Sequence, residues 1–141
     1  MKILIAHARY QQPGGEEAVI DAQERALTAR GHQVLRYEVS NDGLSAVRMA
    51  VRSLWSRAAA RSIGAVIDRE SPDVLHVHNN FQQLSPSIYG AAKRQGVPVV
   101  QHLHNARLAC INVFFERDGA LCMDCVGKSV TWLTETNAST W

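Results

Sequence analysis

The sequence predicts an α/β domain with a Rossmann-like, three-layer architecture, in which a mainly parallel sheet lies between helices. Runs typical of strands recur at residues 3–6, 34–39, 73–78 and 97–101. The first is typical of a strand covered on both faces, and the third also indicates a buried strand. Segments with apolar residues at three- and four-residue spacing separate these runs. The resulting order, βαβαβαβ, is that of parallel strands joined by crossover helices.

The helical segments carry recognisable start and stop signals. The first begins with Glu16 and Glu17, where acids suit the helix dipole, and ends before Gly31. A longer helix is predicted over residues 44–67, with a break near Gly64. A short helix precedes the fourth strand, and Asp118-Gly119 indicates a hairpin within residues 114–121.

Composition and charge narrow the class of protein. The chain has 141 residues, of which 46% are hydrophobic and 20% charged, as expected for one globular domain. We predict this domain over residues 1–128 and an irregular tail over residues 129–141. The net charge of +2 is too small to indicate a nucleic acid partner. With no signal peptide or transmembrane segment predicted, we expect a cytoplasmic protein.

Four arginines lie in one predicted helix, at Arg48, Arg52, Arg57 and Arg61. Such a row is either a solvated face or a surface that contacts an anionic acceptor or lipid headgroups, so peripheral contact with a membrane stays open. Trp55 lies on the apolar stripe of the same predicted helix, and we expect it in the core.

Histidines stand at or just past the ends of three predicted strands, at His7, His78 and His104. Ligands of parallel α/β sheets bind beyond the carboxyl ends of the strands. Asn79 and Asn105 follow two of these histidines, so we predict that His78, Asn79 and Asn105 bind substrate. An imidazole near pH 7 donates or accepts a hydrogen bond, which suits sugar hydroxyls or proton transfer. The alternative is that each histidine is a structural, hydrogen-bonded group.

Gly14 and Gly15 precede the first predicted helix. Backbone amides at such a helix N-terminus approach an anion closely. Their spacing matches neither a dinucleotide fingerprint nor a P-loop, and a flexible turn is the alternative. Glu16 and Glu17 also compete with a bound phosphate for the helix dipole.

Three cysteines, Cys110, Cys122 and Cys125, crowd into one segment. Their odd number argues against a disulfide framework and leaves free thiols or a structural zinc site. The last two form a C-x-x-C step, which lets two sulfurs face one metal ion. A zinc site needs a fourth ligand, for which His102 or His104 is the candidate. No other cofactor is expected.

Five segments follow one another in an order that indicates a family. They are residues 10–16, 54–57, 72–79, 97–105 and 110–127. Together they resemble the N-terminal domain of family 4 glycosyltransferases, which are retaining enzymes of the GT-B fold. The segment that contains the cysteines resembles a bacterial branch of the family, which points to polysaccharide biosynthesis.

The resemblance implies a single lobe of a two-lobed enzyme, with the active site between the lobes. The N-terminal lobe mainly holds a sugar or lipid-linked acceptor, and the C-terminal lobe mainly holds a nucleotide-sugar donor. Carried over to this chain, Gly14 and Gly15 face the donor diphosphate, and His104 is the catalytic residue, as a transition-state contact beside the transferred sugar. His78 lines the same cleft.

One departure from the family pattern shapes the functional hypothesis. The paired glutamates and nucleotide-binding elements of the second lobe have no counterpart in the chain, as in a truncated or split gene product. We therefore expect an acceptor-side lobe that is incomplete without a separate C-terminal lobe. The alternative is a non-catalytic binding or assembly module of the same fold, which forms homo-oligomers.

Overall fold

A computed structural model describes residues 1–9, 14–40, 55–79, 84–106, 109–110 and 112–127. In chain order its elements are β1 (Lys2–Arg9), α1 (Gly15–Ala29), β2 (Gln33–Ser40), α2 (Arg57–Glu70), β3 (Val74–Asn79), α3 (Ser87–Arg94), β4 (Val99–Gln101), β5 (Glu116–Arg117) and β6 (Ala120–Leu121). The chain divides into two compact units, residues 1–102 and 103–141. The predicted alternation of strands and helices is confirmed in the first unit.

The first unit is organised around a four-stranded parallel sheet with the order β2-β1-β3-β4. Strand β1 lies inside the sheet and pairs with β2 along its whole length, from Lys2 opposite Gln33 to Arg9 opposite Ser40. Residues 3–8 of β1 are all buried, as expected for a strand covered on both faces. Because every pair is parallel, the carboxyl ends of all four strands lie at one edge.

Alternate residues of the strands pack in two separate hydrophobic cores, because successive side chains of a strand point to opposite faces of the sheet. On one face Leu4 and Ala6 pack with Ile63 of α2 and Ile88 of α3. On the other face Ile3 and Ile5 pack with Ile20 of α1. The predicted three-layer arrangement is therefore confirmed, with α1 on one face and α2 and α3 on the other.

The predicted helix break near Gly64 is wrong, because α2 runs through this glycine. The Gly64 carbonyl accepts a hydrogen bond from Gln95 Nε2 at 3.2 Å. A Cβ on Gly64 would lie 3.3 Å from the same nitrogen. The glycine therefore serves the close approach of the segment after α3. The predicted helical residues 44–54 lie outside the described residues.

The expectation that Trp55 lies in the core is also wrong, since 57% of its surface is exposed. Helix α2 begins only at Arg57, so Trp55 precedes the helix and does not share its apolar stripe. Of the four arginines that the sequence places in one helix, Arg57 and Arg61 are exposed on α2. Arg48 and Arg52 lie outside the described residues.

Three buried serines join the starts of α2 and α3. Ser56 caps α2 by accepting a hydrogen bond from the Ala59 N–H at 3.2 Å. Its own N–H donates to Ser85 Oγ at 3.0 Å, and its carbonyl accepts from Ser87 Oγ at 2.7 Å. Ser85 Oγ and Ser87 Oγ share a hydrogen bond of 2.8 Å. These hydroxyls satisfy one another and fix the starts of the two helices relative to each other.

In the second unit, β5 and β6 form the antiparallel hairpin that the Asp118-Gly119 pair predicts. Asp118 and Gly119 both adopt positive φ angles, 54° and 77°. A two-residue turn of type I′ requires this conformation at both positions.

No helix in the described parts of the chain is long and apolar enough to cross a membrane. The predicted tail over residues 129–141 lies outside the described residues, so the predicted domain boundary stays a prediction.

The serine network gives a test of the fold. We expect Ser87→Ala to lower the free energy of unfolding by about 1–2 kcal/mol, because it removes two buried hydrogen bonds. Denaturant titration measures this change. Thr28→Ala removes a hydroxyl from an exposed position of α1 and should stay within about 0.5 kcal/mol of wild type. Equal effects of the two substitutions would contradict the role of the network.

Candidate functional site

On the face of the sheet that packs against α1, side chains change from apolar to imidazole toward the carboxyl edge. Taken strand by strand they are Ile3, Ile5 and His7 on β1, Val74, His76 and His78 on β3, and Val100 and His102 on and just past β4. The period of two in each strand places these residues on one face. The carboxyl edge of the sheet therefore carries a concentration of histidines.

Three of these histidines, His76, His78 and His102, form what we call the imidazole cluster. The ring centroids of His78 lie 4.4 Å from His76 and 4.9 Å from His102, and those of His76 and His102 lie 6.1 Å apart. His78 is 3% exposed, and the other two are half-buried. Of these three residues, His78 belongs to the substrate site predicted from the sequence, and His76 and His102 do not.

An irregularity in β3 coincides with His78. Ala6 of β1 pairs with Val77, but the next residue, His7, pairs with Asn79. His78 is thus the extra residue of a bulge, a feature that re-aims side chains at the ends of strands.

Two glutamines hold the cluster from opposite sides. Gln23 of α1 places its Nε2 atom 3.1 Å from His102 Nδ1. Gln101 of β4 donates from Nε2 to the carbonyl of His78 at 3.1 Å and to that of His102 at 2.9 Å. The Tyr89 hydroxyl donates to Gln101 Oε1 in turn. The ends of β3 and β4 are therefore joined by side chains as well as by the ladder.

His7, the predicted site residue on β1, lies inside the fold, with 1% of its surface exposed. Its Nε2 atom is 3.5 Å from Oε1 of Glu17, in the first turn of α1. The other carboxylate oxygen, Glu17 Oε2, accepts a hydrogen bond of 2.7 Å from the Gly14 N–H. Glu17 thus connects the end of β1 to the start of α1.

The environment of Glu17 shifts its acidity. Burial by itself would raise the pKa of this carboxyl, but hydrogen bonds from the backbone N–H groups of Gly14 and Glu17 and the neighbouring His7 imidazole outweigh it. The net effect is a pKa below the usual range. The ionised form is therefore favoured in the folded protein.

Gly14 and Gly15 lie where the sequence predicts, as the N-cap and the first residue of α1. Both are exposed, and a Cβ on Gly15 would meet nothing within 4 Å. The backbone at this helix N-terminus is therefore accessible to an anion. Because Glu17 accepts from the Gly14 N–H, an anion there would have to displace the carboxylate.

The remaining predicted substrate residues divide between the two units. Asn79 is the last residue of β3, and its side chain lies outside the described part of the structure. His104 and Asn105 belong to the second unit, where His104 is half-buried and Asn105 is exposed. The roles of all three residues stay predictions.

The cysteines are free thiols. Cys110 is buried and donates from Sγ to Asn112 Oδ1 at 3.0 Å, while Cys122 and Cys125 are half-buried. Among the described residues, the group of three or more possible metal ligands that the structure brings together is the imidazole cluster. A zinc site at the cysteines stays a prediction.

Two hollows adjoin the sheet. A groove of about 280 Å³ lies along the face covered by α1, from Ile3 and Val74 near the amino ends of their strands to His76. A larger hollow of about 440 Å³ lies at the amino edge, and no histidine lines it. The groove is the hollow that reaches the imidazole cluster, through His76.

Sequence reasoning missed His76 and Gln23 as members of the site. A signal for His76 was present, because residues two apart on a strand share a face and His78 is already a candidate. No local signal marks Gln23, since its partner His102 is distant in the chain.

The pH dependence of stability tests the contacts of Glu17 with Gly14 and His7. A carboxyl whose pKa is lowered by folding stabilises the folded state above its ordinary pKa of 4.5, and this contribution is lost as the pH falls through the lower, folded-state pKa. We expect Glu17→Gln to reduce the free energy of unfolding at neutral pH and the difference from wild type to shrink below pH 4.5. Urea titrations across this range measure it.

Asp68→Asn serves as the control, because it removes one negative charge from an exposed position of α2. Its difference from wild type should show no comparable dependence on pH. A Glu17→Gln difference that is the same at neutral and acidic pH would contradict the contacts described above.

Comparisons with known proteins identify a family. The model of the glycosyl transferase 4-like domain matches residues 14–134. Comparisons with curated proteins and with solved structures found no match. The family match confirms the resemblance of the sequence, and the parallel four-stranded sheet agrees with a single lobe of the GT-B fold. Since the match covers more than half of the chain, the protein belongs to the glycosyl transferase 4-like domain family.

Proposed function

We propose that this domain is the acceptor-side lobe of a retaining glycosyltransferase, which transfers a sugar from a nucleotide-sugar to a sugar or lipid-linked acceptor. Family membership over residues 14–134 carries the proposal. The polar carboxyl edge of the sheet supports it, because this is where a parallel α/β lobe binds ligands.

Sugar transfer requires the site to stabilise charge at two positions. Transfer breaks the bond between the sugar and its diphosphate, so positive charge develops on the sugar and negative charge on the leaving group. His104 contacts the sugar as this charge develops, and the amides of Gly14 and Gly15 face the diphosphate. For the second role the Glu17 carboxylate has to release the Gly14 N–H when the donor binds.

A second lobe, on the same chain or on another, supplies the nucleotide-binding side in this proposal. His78, Asn79 and Asn105 then contact the acceptor from the lobe described here. Without the donor-binding lobe, diphosphate contacts from Gly14 and Gly15 alone are too few to position a nucleotide-sugar for transfer.

The role of His104 gives the main test. We expect His104→Ala to lower kcat by about 100-fold, because a contact made in the transition state is lost. The domain is assayed with its donor-binding lobe by release of nucleoside diphosphate from UDP-sugars and GDP-sugars in the presence of a lipid-linked acceptor. Unchanged kcat would refute the role.

His32→Ala is the matched control, since His32 lies between α1 and β2 at the opposite edge of the sheet. It should leave kcat within about 2-fold of wild type, because substitutions away from a functional site usually have small effects. Rapid sugar transfer by the chain in the absence of any donor-binding lobe would contradict the proposed division of labour.

A further inference from the structure

We propose that the imidazole cluster of His76, His78 and His102 binds one divalent transition-metal ion, for which Zn²⁺ is the probe. This site goes beyond the sugar transfer proposed above and does not depend on it. The proposal rests on the donor set, the geometry of the nitrogens, the support of the rings and an open path to the cluster.

The donor set selects the metal. Neutral imidazole is a ligand for zinc, copper, nickel and iron, whereas magnesium and calcium prefer oxygen. Three histidines form a complete protein ligand set for Zn²⁺ and leave a fourth position for water or another small ligand.

The distances are within reach of coordination. The nitrogens that could bind an ion all lie within 4.8 Å of one another. Bonds of about 2.0–2.1 Å in a tetrahedral site place such nitrogens about 3.4 Å apart, so each pair has to close by about 1.4 Å at most. Rotation of the rings about their side-chain torsions supplies this movement, because it turns each stacked ring until its lone pair points at the ion.

The backbone already holds the three residues together. His76 and His78 are two residues apart on β3 and share one face of the sheet. Val100 pairs with His76 in the register of β3 and β4, and His102 follows two residues later on the same side. Gln101 bonds to the carbonyls of both His78 and His102. Binding an ion therefore requires no rearrangement of the strands.

Gln23 provides the second contact that metal-bound histidines commonly need. The amide nitrogen and oxygen of a glutamine are interchangeable by a half turn of the group. Gln23 Oε1 is buried and lacks a hydrogen-bond partner among the described residues. After that half turn, Gln23 Oε1 accepts a hydrogen bond from His102 Nδ1–H. The tautomer of His102 with its proton on Nδ1 then has its lone pair on Nε2, which is the nitrogen that binds the ion. An acceptor at the second ring nitrogen fixes the tautomer and raises the basicity of the ligand.

The groove between α1 and β4 gives the ion a route to the cluster. His76 lines this groove of about 280 Å³ together with Val74 and Val100. Val100 is half exposed. An ion entering from the groove meets His76 first.

The test measures metal binding by the full chain without a polyhistidine tag. A background of Cys122→Ser and Cys125→Ser removes the C-x-x-C thiols, which are an independent candidate for zinc. Isothermal titration with Zn²⁺ should show one site per chain. Co²⁺ should give visible absorption of a nitrogen- and oxygen-ligated ion, without the near-ultraviolet charge-transfer band of thiolate ligands.

Single substitutions then assign the ligands. His76→Asn and His102→Asn should each weaken Zn²⁺ binding by more than about 100-fold, the upper range for loss of an outer-shell partner. Gln23→Leu should weaken Zn²⁺ binding by about 10-fold, because it removes the hydrogen-bond partner of the ligand His102. His32→Asn, a histidine at the opposite edge, should leave binding unchanged. Near-ultraviolet circular dichroism in a chelator confirms that each variant is folded.

Two results would overturn the proposal. They are no stoichiometric binding in the cysteine-substituted background, and equal binding by His76→Asn and His32→Asn in that background. Because the readouts are affinity and absorption, failure here leaves the proposal of sugar transfer untouched, and failure of the His104→Ala test leaves the metal site untouched.

Discussion

Parallel pairing of β1 with both β2 and β3 is the constraint on which the rest of the structure depends. It places the carboxyl ends of all strands at one edge, so side chains far apart in the chain meet there. It also makes β1 an interior strand, and the helices packed on both faces of the sheet then bury residues 3–8 without interruption. The site at the edge is therefore a consequence of strand direction before it is a consequence of any individual side chain.

Several of the polar groups in this buried environment are organised in pairs and small networks. Ser56, Ser85 and Ser87 exchange hydrogen bonds beneath α2 and α3, and Glu17 joins the Gly14 N–H to His7 at the start of α1. Such networks cost little when complete but much when one member is lost, since the remaining groups stay buried without partners. The starts of α1, α2 and α3 are thereby held by these contacts.

The proposals of sugar transfer and metal binding share one residue, His78. A histidine nitrogen that binds an ion cannot also accept a hydrogen bond from a sugar hydroxyl, because its one lone pair is used. If both proposals hold, the metal-bound nitrogen of His78 no longer accepts from the acceptor and only its other ring N–H donates to it, whereas His104 is not a member of the cluster. The metal would then order the acceptor side of the edge, and His104 would act on the transferred sugar.

The sequence by itself determined the α/β class, the order of the elements and the Asp118-Gly119 hairpin, because these follow from local periodicity and from backbone conformations that few residues adopt. It also placed Gly14 and Gly15 at a helix start and His78 at a strand end. It misjudged Gly64 and Trp55, since periodicity does not show which neighbour approaches a glycine or where a helix begins.

Only the tertiary structure decided how the imidazole cluster and its supports come together. His76 and His102 meet because β4 pairs with β3, and Gln23 reaches His102 because α1 crosses the same face of the sheet. Gln23 and His102 are 79 positions apart in the chain, and the strength of these contacts depends on distance and orientation that no local pattern encodes. For this protein the chain specified the edge at which a site forms, and packing selected the side chains that share it.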